Sequence, residues 1–467
     1  MRRVLVLVLL ISGCATTPPS TAPTRAPLEP LAWPADSPEL ERAVLNRVSW
    51  GANRSSYAEI AQLGTGRWLD AQLRPAPARL PSEAQATIDA MTISQRPLAD
   101  LAAELEPQRK ADLQAYQESL ARLGREAQTR MLLRALYSPN QLEEQMTWFW
   151  MNHFSVFQFK GPLRALVADY EERAVRPQAL GRFRDLLGAT ARHPAMLIYL
   201  DNARNSAGRL NENYARELME LHTLGVDGGY SQRDVEALAR ILTGWSLELA
   251  GGQLSRFYPR RHDFSDKQLL GVTIRGKGAG ELDEALDLLS RHPSTGRFIS
   301  RKLAMFLVAD EPPPALVERM AQSFAASDGD IAQVLRTLFA SAEFRASLGA
   351  KFKDPLQYAL SALRLVLDQR ALPDAQPVIG ALARMGEPLY ARVTPDGYPL
   401  ERTGWASPGQ LATRFEVARG IAYRIPARIP AQLAPPLGEA TRQTLAKAAS
   451  PQEWNLLLLS SPEFMHR

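Results

Sequence analysis

A single cysteine, Cys14, stands in 467 residues, which rules out an internal disulfide framework and every cysteine-rich zinc or iron-sulfur site. Histidine is scarce too, six in all, so few imidazoles are left to ligate anything. Charge of one sign never accumulates. The chain has 55 Lys and Arg against 50 Asp and Glu, and no run of five basic residues exists to track a phosphate backbone, so a nucleic-acid partner is excluded. The signatures of the common hydrolases are missing as well: there is no G-x-S-x-G elbow, no S-x-x-K and no H-E-x-x-H. What is present is 45% hydrophobic and 22% charged residues, and a chain of this length can bury roughly 75% of its unfolded surface.

The N-terminus reads as an address. Met1-Arg2-Arg3 is a short basic segment, and Val4 to Ile11 is an apolar run of eight residues, far short of the roughly 20 that span a bilayer. An export signal fits; a transmembrane helix does not. Leu10-Ile11-Ser12-Gly13-Cys14 resembles the lipobox of bacterial lipoproteins, which implies cleavage before Cys14 and lipidation of its thiol. Two or three acyl chains anchor stably where one would bind only reversibly, so the expected partner is the membrane, held through the N-terminal lipid. Ala15 stands where lipoproteins retained at the inner membrane tend to carry Asp, which favours the outer membrane. Residues 15 to 38 hold seven prolines, too many for a helix and with too little apolar surface to fold. The chain is therefore divided into a signal peptide (1–13), a lipidated Cys with a Pro-rich tether (14–38) and a folded body (39–467).

In that body apolar residues recur mostly at helical spacing, and no period of 20 to 50 residues repeats. Ser138-Pro139-Asn140-Gln141 reads as a capping box opening a helix through Phe154. Arg192-His193-Pro194 and Arg291-His292-Pro293 repeat one device, Pro at a helix start with His before it. Ser231-x-x-Asp234 opens another helix, with Val235, Leu238, Leu242 and Trp245 as its buried stripe. A polar stretch from Arg74 to Gln128 predicts a peripheral helical hairpin. β signals are confined to about 246–275: Ser246 to Leu249, a Gly251-Gly252 turn, Leu254 to Tyr258, and a third strand at Leu270 to Ile274. The expected fold class is mainly α, a single multi-helix globular domain with one small antiparallel β-sheet insertion.

Gly271 to Lys277 matches the first seven positions of a P-loop, but Gly278 stands where Ser or Thr must hold magnesium, so a glycine-rich turn is the reading. The densest polar stretch runs from Asp201 to Asn213. Asp201 falls at a helix end, where the dipole disfavours a carboxylate, so another group is expected to hold it there. On the following helix a 100° step places Asn213, Glu217 and Glu220 on one face with Arg216 on its flank, while Tyr214, Leu218 and Leu221 face the core. His222 then falls nearly opposite the glutamates, and a joint site would need the helix to end before it. Two close carboxylates beside amide oxygens suit a hard cation or an acid/base pair. They equally suit a structural ion-pair network with Arg216. His153 closes the apolar stripe of Leu142, Met146, Phe149 and Trp150, and His262-Asp263 puts an imidazole and a carboxylate in a loop, where ligands are usually presented.

Tyr137-Ser138, Met146 to Val156, Arg192 to Asn202, Asn211 to Tyr230, Leu242 to Trp245 and His262-Asp263 together resemble a bacterial family known only as domain of unknown function 1800. The central signature is Asn211-Glu212-Asn213-Tyr214-Ala215-Arg216-Glu217-Leu218-Met219-Glu220-Leu221-His222-Thr223-Leu224-Gly225. Those proteins usually carry His where Met151 stands here. The resemblance implies an exported protein, often encoded beside a sulfatase-like companion, and brings no established reaction.

Two readings follow. In the first the protein is an envelope enzyme acting on an extracellular polymer or its substituents, with Glu217, Glu220, His262 and Asp263 as catalytic candidates and Asp201, Asn213, Glu217 and His153 as ligands of a divalent cation. In the second it is a non-catalytic surface module binding a polysaccharide or a companion protein, the same residues forming a polar network with Arg216 and His222.

Overall fold

The apolar rhythm of the chain resolves into helices because each run is bounded by a capping side chain or a left-handed turn. A computed structural model describes residues 31, 33–34, 36–248 and 254–467, so Cys14, the signal segment, most of the tether and the Gly251-Gly252 turn lie outside the described residues. Among those residues there are twenty-three α-helices and four short strands, which makes the fold mainly α. The repeated His-Pro device works as expected. Nδ1 of His193 accepts from the amide of Ala195 at 3.1 Å, and Nδ1 of His292 from that of Ser294 at 3.2 Å, opening the helices Pro194–Tyr199 and Pro293–Leu307. Ser231 and Asp234 form a reciprocal capping box at the start of Gln232–Ile241. That helix is shorter than its apolar stripe, because Gly244 takes φ +84° and Trp245 begins a strand.

The chain is docked before the expected start near Glu39. Leu31 is buried and its amide donates to Asp70 at 2.9 Å, and Asp36 accepts from the amide of Thr65 at 3.1 Å. The stretch from Arg74 to Gln128 is helical but not one hairpin: the short helices Ser82–Asp89 and Thr92–Gln95 precede a hairpin of Leu98–Ala111 and Leu113–Tyr137, joined through Asp112, which runs past Gln128 and has a small core of its own that includes Leu101, Leu105, Tyr116 and Leu120. Ser138 does not form a capping box. Gln141 instead donates to the carbonyls of Ala135 and Ser138 and accepts from the amide of Trp50, so its side chain ties three segments together.

The β region is two hairpins, not one three-stranded sheet. Trp245–Leu247 (β1) pairs antiparallel with Ser255–Phe257 (β2), and Lys267–Leu269 (β3) with Val272–Ile274 (β4). Leu270 and Gly271, both at positive φ (51° and 79°), form a two-residue turn that folds the expected third strand back on its own neighbour. The helix Gln141–His153 is buried on nearly every side, among Phe306, Phe183 and Phe154, and so delivers His153 into the main core.

Candidate functional site

The signature helix is Asn213–Glu220, and it stops before His222. Its last turn widens: the amide of His222 reaches back to the carbonyl of Glu217 at 3.1 Å, that of Leu224 to Met219 at 2.8 Å, and Thr223 Oγ1 donates to the carbonyl of Leu218. Gly225 closes the turn at φ +82°, and a Cβ there would stand 3.0 Å from the Phe298 ring. The effect is to swing His222 inward. Its ring lies 5.0 Å from Phe154 and 6.0 Å from His153, centroid to centroid, and both imidazoles are about 1% exposed.

These two rings are short of partners. His153 Nε2 lies 3.1 Å from the backbone oxygen of His222, so the neutral ring carries its proton there and Nδ1 keeps a lone pair with no donor. Neither nitrogen of His222 has a hydrogen-bond partner among the described residues. Burial and the nearby ammonium of Lys302 hold both imidazoles neutral, His222 down at about 3 and His153 well below its usual range. Lys302, on Pro293–Leu307, makes no hydrogen bond or ion pair among the described residues. Its ammonium sits 5.5 Å over the ring of Phe298, whose centroid is 6.2 Å from that of His153. Burial lowers Lys302 to about 8 against the pull of Asp396 and Glu401.

Above this core the carboxylates gather. Glu217 is half-buried and its carboxylate has no hydrogen-bond partner among the described residues; burial, then Glu220, push that carboxyl up, with Asp396 adding to the rise. Burial, Asp396 and Glu217 likewise raise the phenol of Tyr199, which donates to the carbonyl of Val393 at 2.8 Å. Glu220 is committed elsewhere: it lies 3.6 Å from Arg216, and its hydrogen bond with Tyr230 together with burial takes that phenol to about 12. The loop bearing Asp396 is fastened by Asn152, which accepts from the amide of Tyr398 at 2.6 Å and donates to its carbonyl at 3.0 Å. Gly397 is required there, since a Cβ would stand 2.2 Å from the carbonyl of Asn152.

The expected residues thus divide. Glu217 with Glu220, and His153 with His222, are brought together, and Lys302 and Asp396 link the two pairs electrostatically. His222, expected only as a structural residue, sits at the centre. The proposed cation ligands do not assemble: Asp201 pairs with Lys160 at 2.9 Å, which is what holds it at its helix end, and Asn213 donates to the carbonyl of Leu200. Among the described residues no three His, Cys, Asp or Glu side chains gather where a metal ion could bind. His262 and Asp263 are not a pair either. His262 turns into the core to meet Glu281 at 2.9 Å, whereas Asp263 turns out to Arg240 at 2.7 Å and is pulled well below the usual carboxylate range. The remaining polar loop is scaffolding: Asn202 donates to the carbonyls of Leu242 and Trp245, and Asn205 to that of Ala239.

Three members were missed from the sequence: Lys302, Tyr199 and Asp396. Lys302 carried a signal. It falls three residues after Ile299 and one before Leu303, at the half-buried edge of a stripe that includes both, where a lysine is out of keeping with its apolar neighbours.

Fold and site together define an α-helical protein with a buried pair of imidazoles, a half-buried lysine beside them and an acidic rim. The chain belongs to the family described as Protein of unknown function (DUF1800), whose model matches residues 43–466. No curated protein and no solved structure matches it.

Proposed function

We propose that this protein is a cell-envelope lipoprotein, anchored through Cys14, and an enzyme of acid–base chemistry acting on an extracellular polymer or its substituents. The observation that carries the enzyme reading is the concentration in one core of polar atoms without protein partners, Nδ1 of His153 and both nitrogens of His222, with the half-buried ammonium of Lys302 beside them. Buried polar atoms are almost always paired, so an unpaired set in one place is a site waiting for a ligand. The environments also separate the groups by role. Glu217, held up by burial and a like charge, is suited to carry a proton; Lys302, lowered by burial, is suited to accept one; His222, near Lys302, offers a donor and an acceptor.

The metal-dependent variant loses its support with its ligand set. A binding module remains the second reading, favoured by one observation: Glu220 is spent on Arg216 and Tyr230, which leaves Glu217 without a carboxylate free to act with it. Mass spectrometry of purified envelope polysaccharide and peptidoglycan incubated with the protein separates the two. Released fragments or substituents that vanish with Glu217→Gln and with Lys302→Met support the enzyme. Polymer that binds but stays intact, with binding lost in the same variants, supports the module. For the anchor, Cys14→Ser is expected to shift the protein from the membrane to the soluble fraction; retention in the membrane would overturn it.

A further inference from the structure

A second region invites a ligand of different chemistry, and it is independent of the histidine site. The helices Pro355–Leu367, Gln376–Arg384 and Pro408–Ala422 part to leave a groove of about 480 Å³, within the range of small-molecule sites. Its walls are aliphatic, formed by Leu363, Val366, Val378, Val417, Ile421 and Ile425. Guanidinium groups stand on its rim. Arg370 folds back on the carbonyls of Val366 and Leu367, but Arg384 and Arg424, both exposed, make no hydrogen bond or ion pair among the described residues. The rim carboxylates are engaged: Glu416 pairs with Arg419 at 2.5 Å, and Asp374 accepts from the amide of Gln376 at 2.9 Å. A further cavity of about 490 Å³ shares Val366, Leu367, Arg370 and Ile425 with the first and adds Leu365, Ile429 and Leu433 to the apolar lining.

We propose that this groove binds an anionic amphiphile, its acyl chain along the aliphatic walls and its carboxylate or phosphate head held by Arg384 and Arg424. An uncharged chain would leave both guanidiniums unmatched, and a small inorganic anion would leave the walls in water. The combination selects a molecule with both parts.

Gly420 supplies the blocking variant. It is an exposed wall residue at which a Cβ meets nothing within 4 Å, so Gly420→Leu places a side chain in the groove without disturbing the packing. The test uses the full-length chain carrying Cys14→Ser, which brings no acyl group of its own, and follows displacement of the fluorescent fatty acid cis-parinarate. The competitors are dodecanoate, lauroyl lysophosphatidylglycerol and uncharged dodecyl maltoside. The expected result is saturable displacement by an anionic competitor, at least tenfold weaker in the double variant Arg384→Gln, Arg424→Gln. Gly420→Leu should abolish it; the melting temperature should be unchanged in the arginine variant and unchanged or raised in Gly420→Leu, which replaces a glycine inside a helix. Competition by dodecanoate alone identifies a free fatty acid as the source, and competition by the lysolipid a membrane lipid. Dodecyl maltoside competing as well as either anion, or no loss in the arginine variant, overturns the proposal.

Discussion

Histidine is buried in two different ways in this protein. At His262 every polar atom is matched: Nδ1 lies 2.8 Å from the carbonyl of Thr243, Nε2 lies 2.9 Å from Glu281, and the other oxygen of Glu281 takes the ammonium of Lys267. The glycine-rich turn that mimics a P-loop closes this network, its amides at Lys277 and Gly278 donating to Glu281 at 2.8 and 2.7 Å. At His153 and His222 three ring nitrogens have no protein partner, and the half-buried Lys302 beside them makes no ion pair, feeling Asp396 and Glu401 only at longer range. All three imidazoles are buried, so burial of the ring does not separate scaffold from site. What separates them is whether the hydrogen bonds close.

The matched network around His262 depends most on Glu281. Replacing it with Gln leaves Lys267 and His262 buried without their anion, and removing one partner of a buried ion pair costs about 3 to 5 kcal/mol. Urea unfolding of Glu281→Gln is expected to show that loss. A change below about 1 kcal/mol would mean that the network is not what holds the hairpins to Gly280–Arg291.

Local chemistry is legible in the sequence and long-range packing is not. The two His-Pro helix starts rest on residues two apart and the Ser231–Asp234 box on residues three apart, whereas the polar stretch from Arg74 to Gln128 points to a helical hairpin without showing that it runs on to Tyr137. His262-Asp263 looked like a pair because the residues are adjacent, yet neighbours in extended backbone point opposite ways, one to the core and one to Arg240. The 100° wheel holds only as far as Glu220, where the helix ends; the widened turn that follows carries the ring of His222 to His153, 69 residues earlier in the chain. Lys302 and Asp396 enter from helices and loops far along the sequence, and only packing brings them in.

A pH series sharpens the contrast further. His222 titrates at about 3 in the fold and near 6.5 when unfolded, so below pH 6.5 the unfolded chain binds the extra proton and stability falls with falling pH until about 3. His153 shifts in the same direction. Each contributes a slope of about 1.4 kcal/mol per pH unit inside its window. His193 and His292 are also lowered, so the difference between wild type and His222→Leu isolates one histidine. Chemical denaturation at pH 4, 5, 6 and 7 is expected to show the shallower slope in His222→Leu, with stability at pH 7 unchanged or up by about 1 kcal/mol because two unpaired nitrogens are gone. A steeper slope, or a large loss at pH 7, would place His222 among the satisfied histidines.

The smallest effects belong to the acidic rim, and they decide which glutamate is functional. Arg216 is half-exposed and keeps Glu212 at 3.2 Å and Gln232 at 2.8 Å, so Glu220→Gln strands no buried guanidinium and should cost at most about 1 kcal/mol. Glu217 differs in sign. Its carboxyl is raised in the fold, so the folded chain holds its proton more tightly than the unfolded one, and the charge it carries at neutral pH works against folding. Glu217→Gln removes that charge and keeps the shape. Its melting temperature should therefore equal or slightly exceed wild type at pH 7, and the difference should vanish at pH 4, where the wild-type group is protonated too. Residues kept for function rather than stability show this pattern when neutralised. A clear drop in melting temperature for Glu217→Gln at pH 7 would mean that the carboxylate is stabilised as an anion, and the role of proton carrier would pass from Glu217 to another group of the rim.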